Sequence, residues 1–247
     1  MKKLMIAASA ALIATVGFSL ESANVVGYAS GATTSGNKIM GAQFTAVAGE
    51  GIDLTDIIVT GYNTDDGTEA EVKVQTLDAR GRGGMTYSFY DVPGELYGWL
   101  DSFDNPVEPG TVILLPAEGL WVNAPNENFS LQTAGQVPNK GYAITLTEGN
   151  KMVVNTTPVA VDLNNIQVKG YNLEDGTEAE VKVQTLDYRG RGGMTYSFYD
   201  VPGELFGWLD SFDNPVEDKA MMIQPGEGLW VSAPSTSFQL ELPGVTL

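Results

Sequence analysis

The 247-residue sequence contains no cysteine and no histidine. Without cysteine there is no disulfide framework, no thiolate nucleophile and no Cys-ligated zinc or iron–sulfur centre. Without histidine the commonest general base, the Ser-His-Asp triad and the commonest metal ligand are gone as well. Basic residues are scarce: 13 Lys and Arg stand against 31 Asp and Glu, a formal charge of −18. Nucleic-acid binding rests on neutralising phosphates, so this balance argues against it. What remains is carboxylate chemistry, binding of hard cations, or no catalysis. A composition of 43% apolar and 18% charged residues is globular rather than disordered.

Long apolar runs are missing too, except at the start. Lys2 and Lys3 precede an uncharged, small-residue stretch from Leu4 to Leu20, the pattern of a secretory signal peptide. A transmembrane anchor is the competing reading of a run this long. Small residues at Gly17, Ser19, Ser22 and Ala23, followed by no basic stop-transfer cluster, favour cleavage. The signal peptide is therefore placed at 1–19, with the cut between 19 and 23. The absence of cysteine excludes a lipoprotein, and no second stretch is long enough to span a bilayer. The mature chain, with charge −20, is expected to be exported to the periplasm, the cell surface or the extracellular space.

What is present above all is duplication. Gly61–Glu108 aligns with Gly170–Glu217 at an offset of 109, and only four of these 48 positions differ: Thr64/Leu173, Asp65/Glu174, Ala79/Tyr188 and Tyr97/Phe206. A looser match runs from Thr111–Leu131 to Ala220–Leu240. Upstream, Gly36-Asn-Lys-Ile-Met40 meets Gly149-Asn-Lys-Met-Val153 with four extra residues in the first copy, and Val26-Gly-Tyr28 parallels Lys140-Gly-Tyr142. The spacing predicts two domains of about 110 residues, 24–137 and 138–247.

Each copy reads as β-structure. Val72–Leu77 and Met85–Tyr90 alternate apolar and polar residues around a glycine-rich Ala79-Arg-Gly-Arg-Gly-Gly84, the pattern of a hairpin. Further strands are expected at 38–44, 98–103, 112–115, 119–124, 129–133 and 151–155. Asp53–Ile57 and Asp162–Ile166 suggest a helical turn capped by its aspartate. The expected fold class is all-β: two tandem homologous antiparallel β-sandwich or barrel-like domains. Ala23-Asn-Val-Val-Gly-Tyr28, the strand–turn–strand run after Asp66-Gly-Thr68, the Trp99 segment and Pro225-Gly-Glu-Gly-Leu-Trp-Val231 resemble a family of secreted bacterial proteins of uncharacterised activity. Those proteins carry NVVGY after a signal peptide, and two β repeats each closed by a PGEG-aromatic-V strand. The resemblance implies secretion and repeat architecture, and brings no catalytic residue and no ligand. Pro116-Ala-Glu-Gly119 departs from the pattern, so a different turn is expected in the first copy.

Three residue sets could carry function. All four arginines, Arg80, Arg82, Arg189 and Arg191, lie in the two RGRGG connections. They could grip carboxylate, sulfate or phosphate of a partner bidentately, or simply neutralise Asp78 and Asp91 of their own hairpin. Among the aromatics, alternation sends Tyr87 and Phe89 to one strand face and Tyr90 to the other. Tyr90, Trp99, Tyr199 and Trp208 are thus candidates to stack on sugars or enter a protein interface, while Trp121 and Trp230 fit a core. Carboxylates at Asp65, Asp66, Glu69, Asp101 and Asp104, repeated at Glu174, Asp175, Glu178, Asp210 and Asp213, are weak calcium candidates that match no EF-hand loop. No other cofactor is expected. A glycosidase pair such as Glu95 with Asp101 needs only two carboxylates, but acids are too common here for a pair to mean much. Asn128-Phe-Ser130 and Asn155-Thr-Thr157 match the glycosylation pattern, which matters only in a host that uses it.

The expected function is a non-catalytic structural, assembly or adhesion role outside the cell. The partner would be another copy, another surface component or an anionic polysaccharide. Carbohydrate binding through exposed aromatics is the alternative, and a glycoside hydrolase a remote third.

Overall fold

The computed structural model describes residues 26–33, 36–41, 51–61, 72–77, 83–124, 129–136, 142–146, 149–170, 181–186, 192–233 and 238–243. The expected signal segment lies outside the described residues, as do all four arginines. So do Asp65, Asp66, Glu69, Glu174, Asp175, Glu178 and Asn128.

Ten strands come from the first copy: β1 (Val26–Thr33), β2 (Gly36–Met40), β3 (Ile52–Asp53), β4 (Ile58–Thr60), β5 (Val72–Leu77), β6 (Gly83–Val92), β7 (Leu96–Leu100), β8 (Ile113–Leu114), β9 (Leu120–Ala124) and β10 (Phe129–Gln136). Ten more repeat them: β11 (Tyr142–Leu146), β12 (Gly149–Val154), β13 (Val161–Asp162), β14 (Gln167–Lys169), β15 (Val181–Leu186), β16 (Gly192–Val201), β17 (Leu205–Leu209), β18 (Met222–Ile223), β19 (Gly228–Ala233) and β20 (Phe238–Leu242). The chain is all-β with antiparallel pairing. Each copy builds a five-stranded sheet (β2-β9-β5-β6-β7 and β12-β19-β15-β16-β17), a three-stranded sheet (β1-β10-β4 and β11-β20-β14) and a two-stranded ladder (β3-β8 and β13-β18).

Alternation sets the cores. Val72 and Val74 are buried while Lys73 between them is exposed, so one face of β5 turns inward. Opposite Val72 stands Phe89, and opposite Phe89 stands Trp99. Together with Leu54, Val59, Leu114, Leu120, Val122 and Leu131 they form the first core, and the equivalent residues of the second copy form another. Asp53 and Asp162 cap single 3₁₀ turns, accepting from the backbone N–H of Thr55 (2.9 Å) and Asn164 (3.1 Å).

Two expectations need correction. Gly31 pairs with Leu131 and Ile144 with Leu240, which equates Gly31 with Ile144. The Val26-Gly-Tyr28 parallel to Lys140-Gly-Tyr142 is therefore one residue out of register. Nor does Pro116-Ala-Glu-Gly119 form a different turn. Ala117 at φ 63° does what Gly226 does at φ 74°. Glu118 N–H donates to Leu115 C=O at 2.9 Å, as Glu227 N–H does to Gln224 C=O at 3.0 Å. Proline ahead of a left-handed residue dictates the same bend in both copies.

The two copies meet along a seam of reciprocal contacts. Met40 bridges to Glu227, and their counterparts Val153 and Glu118 bridge likewise. Gly119 N–H donates to Met152 C=O, and Val154 N–H to Ala117 C=O, both at 2.9 Å. Ile39, Met152 and Val154 are buried here, with Leu77, Trp121, Leu186 and Trp230 packed around them. Trp121 and Trp230 meet edge to face, centroids 6.4 Å apart. These indoles, expected in a core, instead fill the space between the copies. The two bridges map onto each other when every residue is replaced by its counterpart, which marks a two-fold relation.

Candidate functional site

Of the four aromatics proposed for binding, Trp99 and Trp208 are corrected outright. Each is 4% exposed, because the cross-strand pairing with Phe89 and Phe198 puts it on the inner face. Neither indole N–H has an acceptor among the described residues. Tyr90 and Tyr199 are half-buried on the opposite face, each facing a glycine, Gly98 or Gly207, across the ladder. Trp99 and Tyr90 thus do not share a surface.

The exposed rings are others. Tyr97 is 69% and Phe206 74% exposed, and each touches a buried phenylalanine edge to face at 5.4 Å (Phe89 and Phe198). Phe103 and Phe212 are as exposed, at the tips of the loops 101–105 and 210–214. In Asp-Ser-Phe-Asp-Asn-Pro the ring has only polar residues on either side before the proline, and that isolation was the signal available in sequence.

Those loops are built around one carboxylate. Asp101 Oδ1 accepts from the backbone N–H of Phe103 (2.8 Å) and Asn105 (2.9 Å), and Asp101 N–H donates to Asn105 C=O at 2.9 Å. Asp104 takes φ 61° to close the loop. Asp210 repeats the arrangement with Phe212 and Asn214. The backbone N–H of Asn105 is the main cause that holds the Asp101 carboxyl below its ordinary pKa; desolvation opposes it, and the backbone N–H of Phe103 and the Asn105 side chain add to the lowering. Asp210 is lowered in the same way by Asn214 and Phe212. Tyr87 and Tyr196 are pushed up by burial and then by the negative charge of Asp101 and Asp210. Asp101 and Asp210, named as calcium candidates and Asp101 also as half of a carboxylate pair with Glu95, brace their own loops through Oδ1. Among the described residues no three carboxylates converge as a metal site, and no helix is long and apolar enough to cross a membrane. Asn155 is fully buried, its Nδ2 donating to Val159 C=O (2.8 Å) and Ile223 C=O (2.9 Å), so its sequon is structural.

A groove of about 480 Å³ opens in the second copy between β14 and β17, the terminal strands of their sheets. Ile166, Val168, Phe198 and Trp208 form its floor, and Phe206, Gln167 and Lys169 its lips. Sequence reasoning missed it, because its two walls are some 40 residues apart in the chain and neither carries a motif. No protein-family model, no curated protein and no solved structure matches this chain.

Proposed function

We propose that the protein is an exported, non-catalytic component of the cell surface or extracellular space. In this reading two tandem β-sandwich domains, 24–137 and 138–247, follow a cleaved signal peptide and serve assembly or adhesion. The observation that supports this most is the reciprocal seam. A cluster of Ile39, Met152 and Val154, with the two tryptophans crossed beside it, holds two copies of the same surface in one body. Each copy offers a braced loop with a bare phenylalanine, Phe103 or Phe212. Each arginine-bearing connection departs from a leucine, Leu77 or Leu186, that packs on the same cluster. Two equal contacts on one body favour partners that repeat, because the second engagement is intramolecular.

The partner is a second copy or an anionic surface component, with calcium as an aid to contact between acidic bodies. Light scattering of the mature chain across salt and calcium tests this. Association is expected to grow as charge is screened. It should fall when Arg80, Arg82, Arg189 and Arg191 are all changed to Ala, and again with Phe103→Ser plus Phe212→Ser. A monomer under every condition, binding no surface polymer, would sink the proposal.

A further inference from the structure

We infer that the groove between β14 and β17 is a binding site for a neutral saccharide, an activity separate from assembly. Its volume, about 480 Å³, falls in the range of small-ligand sites. The lining is amphipathic in the way a pyranose is. Phe206 offers an exposed ring braced edge to face on Phe198, which itself meets Trp208 at 5.3 Å. Such a ring takes the C–H face of a sugar. Gln167 and Lys169 stand exposed along the other lip, where their amide and ammonium reach hydroxyls.

The backbone adds two further groups. Trp208 C=O points away from β16, since it accepts from Val216 N–H at 2.9 Å. In an antiparallel ladder the groups two residues away point the same way, so the N–H and C=O of Phe206 face the open edge. Gly207 between them also lines the groove. This edge is open for one rung only, because Val216 already covers Trp208. On β17 a peptide strand, which binds through a run of ladder bonds, would find a single pair, whereas one sugar ring needs no more. Lys169 is paired to Glu241 at 2.5 Å, so the lip carries little net charge and selects neutral ligands over anions.

The first copy has diverged at these places. Thr55, Ile58, Thr60 and Tyr97 stand where the second has Asn164, Gln167, Lys169 and Phe206. Of the four differences in the 48-residue block, one thus falls on this lip.

The first copy also supplies a test that protects the fold. Gluco-, manno- and galacto-configured neutral tetrasaccharides are titrated calorimetrically into the mature full chain. They are also titrated into a variant with Gln167→Ile, Lys169→Thr and Phe206→Tyr, residues already tolerated at the equivalent sites, and into Phe206→Ala. Binding by at least one sugar is expected, weakened about tenfold or more by Phe206→Ala and to a similar degree in the triple variant. Tyr97→Ala in the first copy should leave it unchanged. No binding by any of the three sugars, binding indifferent to Phe206, or occupation of the groove by an extended peptide instead would overturn the inference. Light scattering of the same variants separates it from the assembly proposal, which it leaves untouched.

Discussion

At the scale of single residues, left-handed backbone is where the two copies disagree most tellingly. Lys219 sits at φ 63° where the first copy has Gly110 at φ 83°. A side chain in that conformation costs about 1–2 kcal/mol, and replacing it by glycine returns about 0.5–1 kcal/mol to the unfolded chain as entropy. Lys219 is exposed, so little burial is lost. Lys219→Gly is therefore expected to stabilise by about 0.5–1 kcal/mol, read as a rise of about 2 °C in Tm. A fall in Tm would show that the lysine makes a contact that outweighs its backbone. Ala117 has the same strain but is 2% exposed. Deleting its methyl forfeits about 0.8 kcal/mol of burial as well, which brings Ala117→Gly close to neutral. The same distinction governs Asn155. Its sequon is visible in sequence, while its burial, which decides the matter, follows from contacts with residues as distant as Ile223.

At the scale of elements, the loops 101–105 and 210–214 turn a charge into a shape. The carboxyl pKa of Asp101 is lowered in the folded chain, so the loop's stabilisation is complete above the unfolded pKa, near pH 4. It is lost as pH falls through the folded value. Amide NMR should show Phe103 and Asn105 moving together with a midpoint below about pH 4, and Phe212 with Asn214 likewise. A midpoint in the range of an unstructured aspartate would contradict the bracing. Much at this scale was legible beforehand. The strand at Val72–Leu77 has the bounds alternation gave it, and the capped turns after Asp53 and Asp162 follow from their aspartates. Trp99 was misplaced for a physical reason. Gly98 interrupts the alternating apolar pattern, and only the pairing of Trp99 with Phe89 shows which face is inward. The groove, like the seam, joins residues that no local pattern connects.

At the scale of the whole molecule, the seam depends on glycines. A methyl added to Gly228 would fall inside contact with Ile39 Cγ2, and one added to Gly119 would lie 2.9 Å from Met152 Cβ. Gly228→Ala is expected to destabilise by about 1–3 kcal/mol through overpacking. Ile39→Ala in the same chain should recover part of that loss, a coupling that urea denaturation of the four chains of a double-mutant cycle would measure. Additive effects would mean that the copies do not touch there. In the seam, Gly41 and Val154 occupy equivalent positions and face each other: a Cβ built on Gly41 would lie 2.6 Å from Glu118 C=O and 3.1 Å from Val154 Cγ2. Two valines would crowd that space and two glycines would leave it empty. Neither half could replace the other, so the pair behaves as a lock and its key written in one gene. The nearly identical stretches begin only at Gly61 and Gly170 and lie outside this position. The near-identity of the repeats therefore stops short of the asymmetry that tells one half from the other.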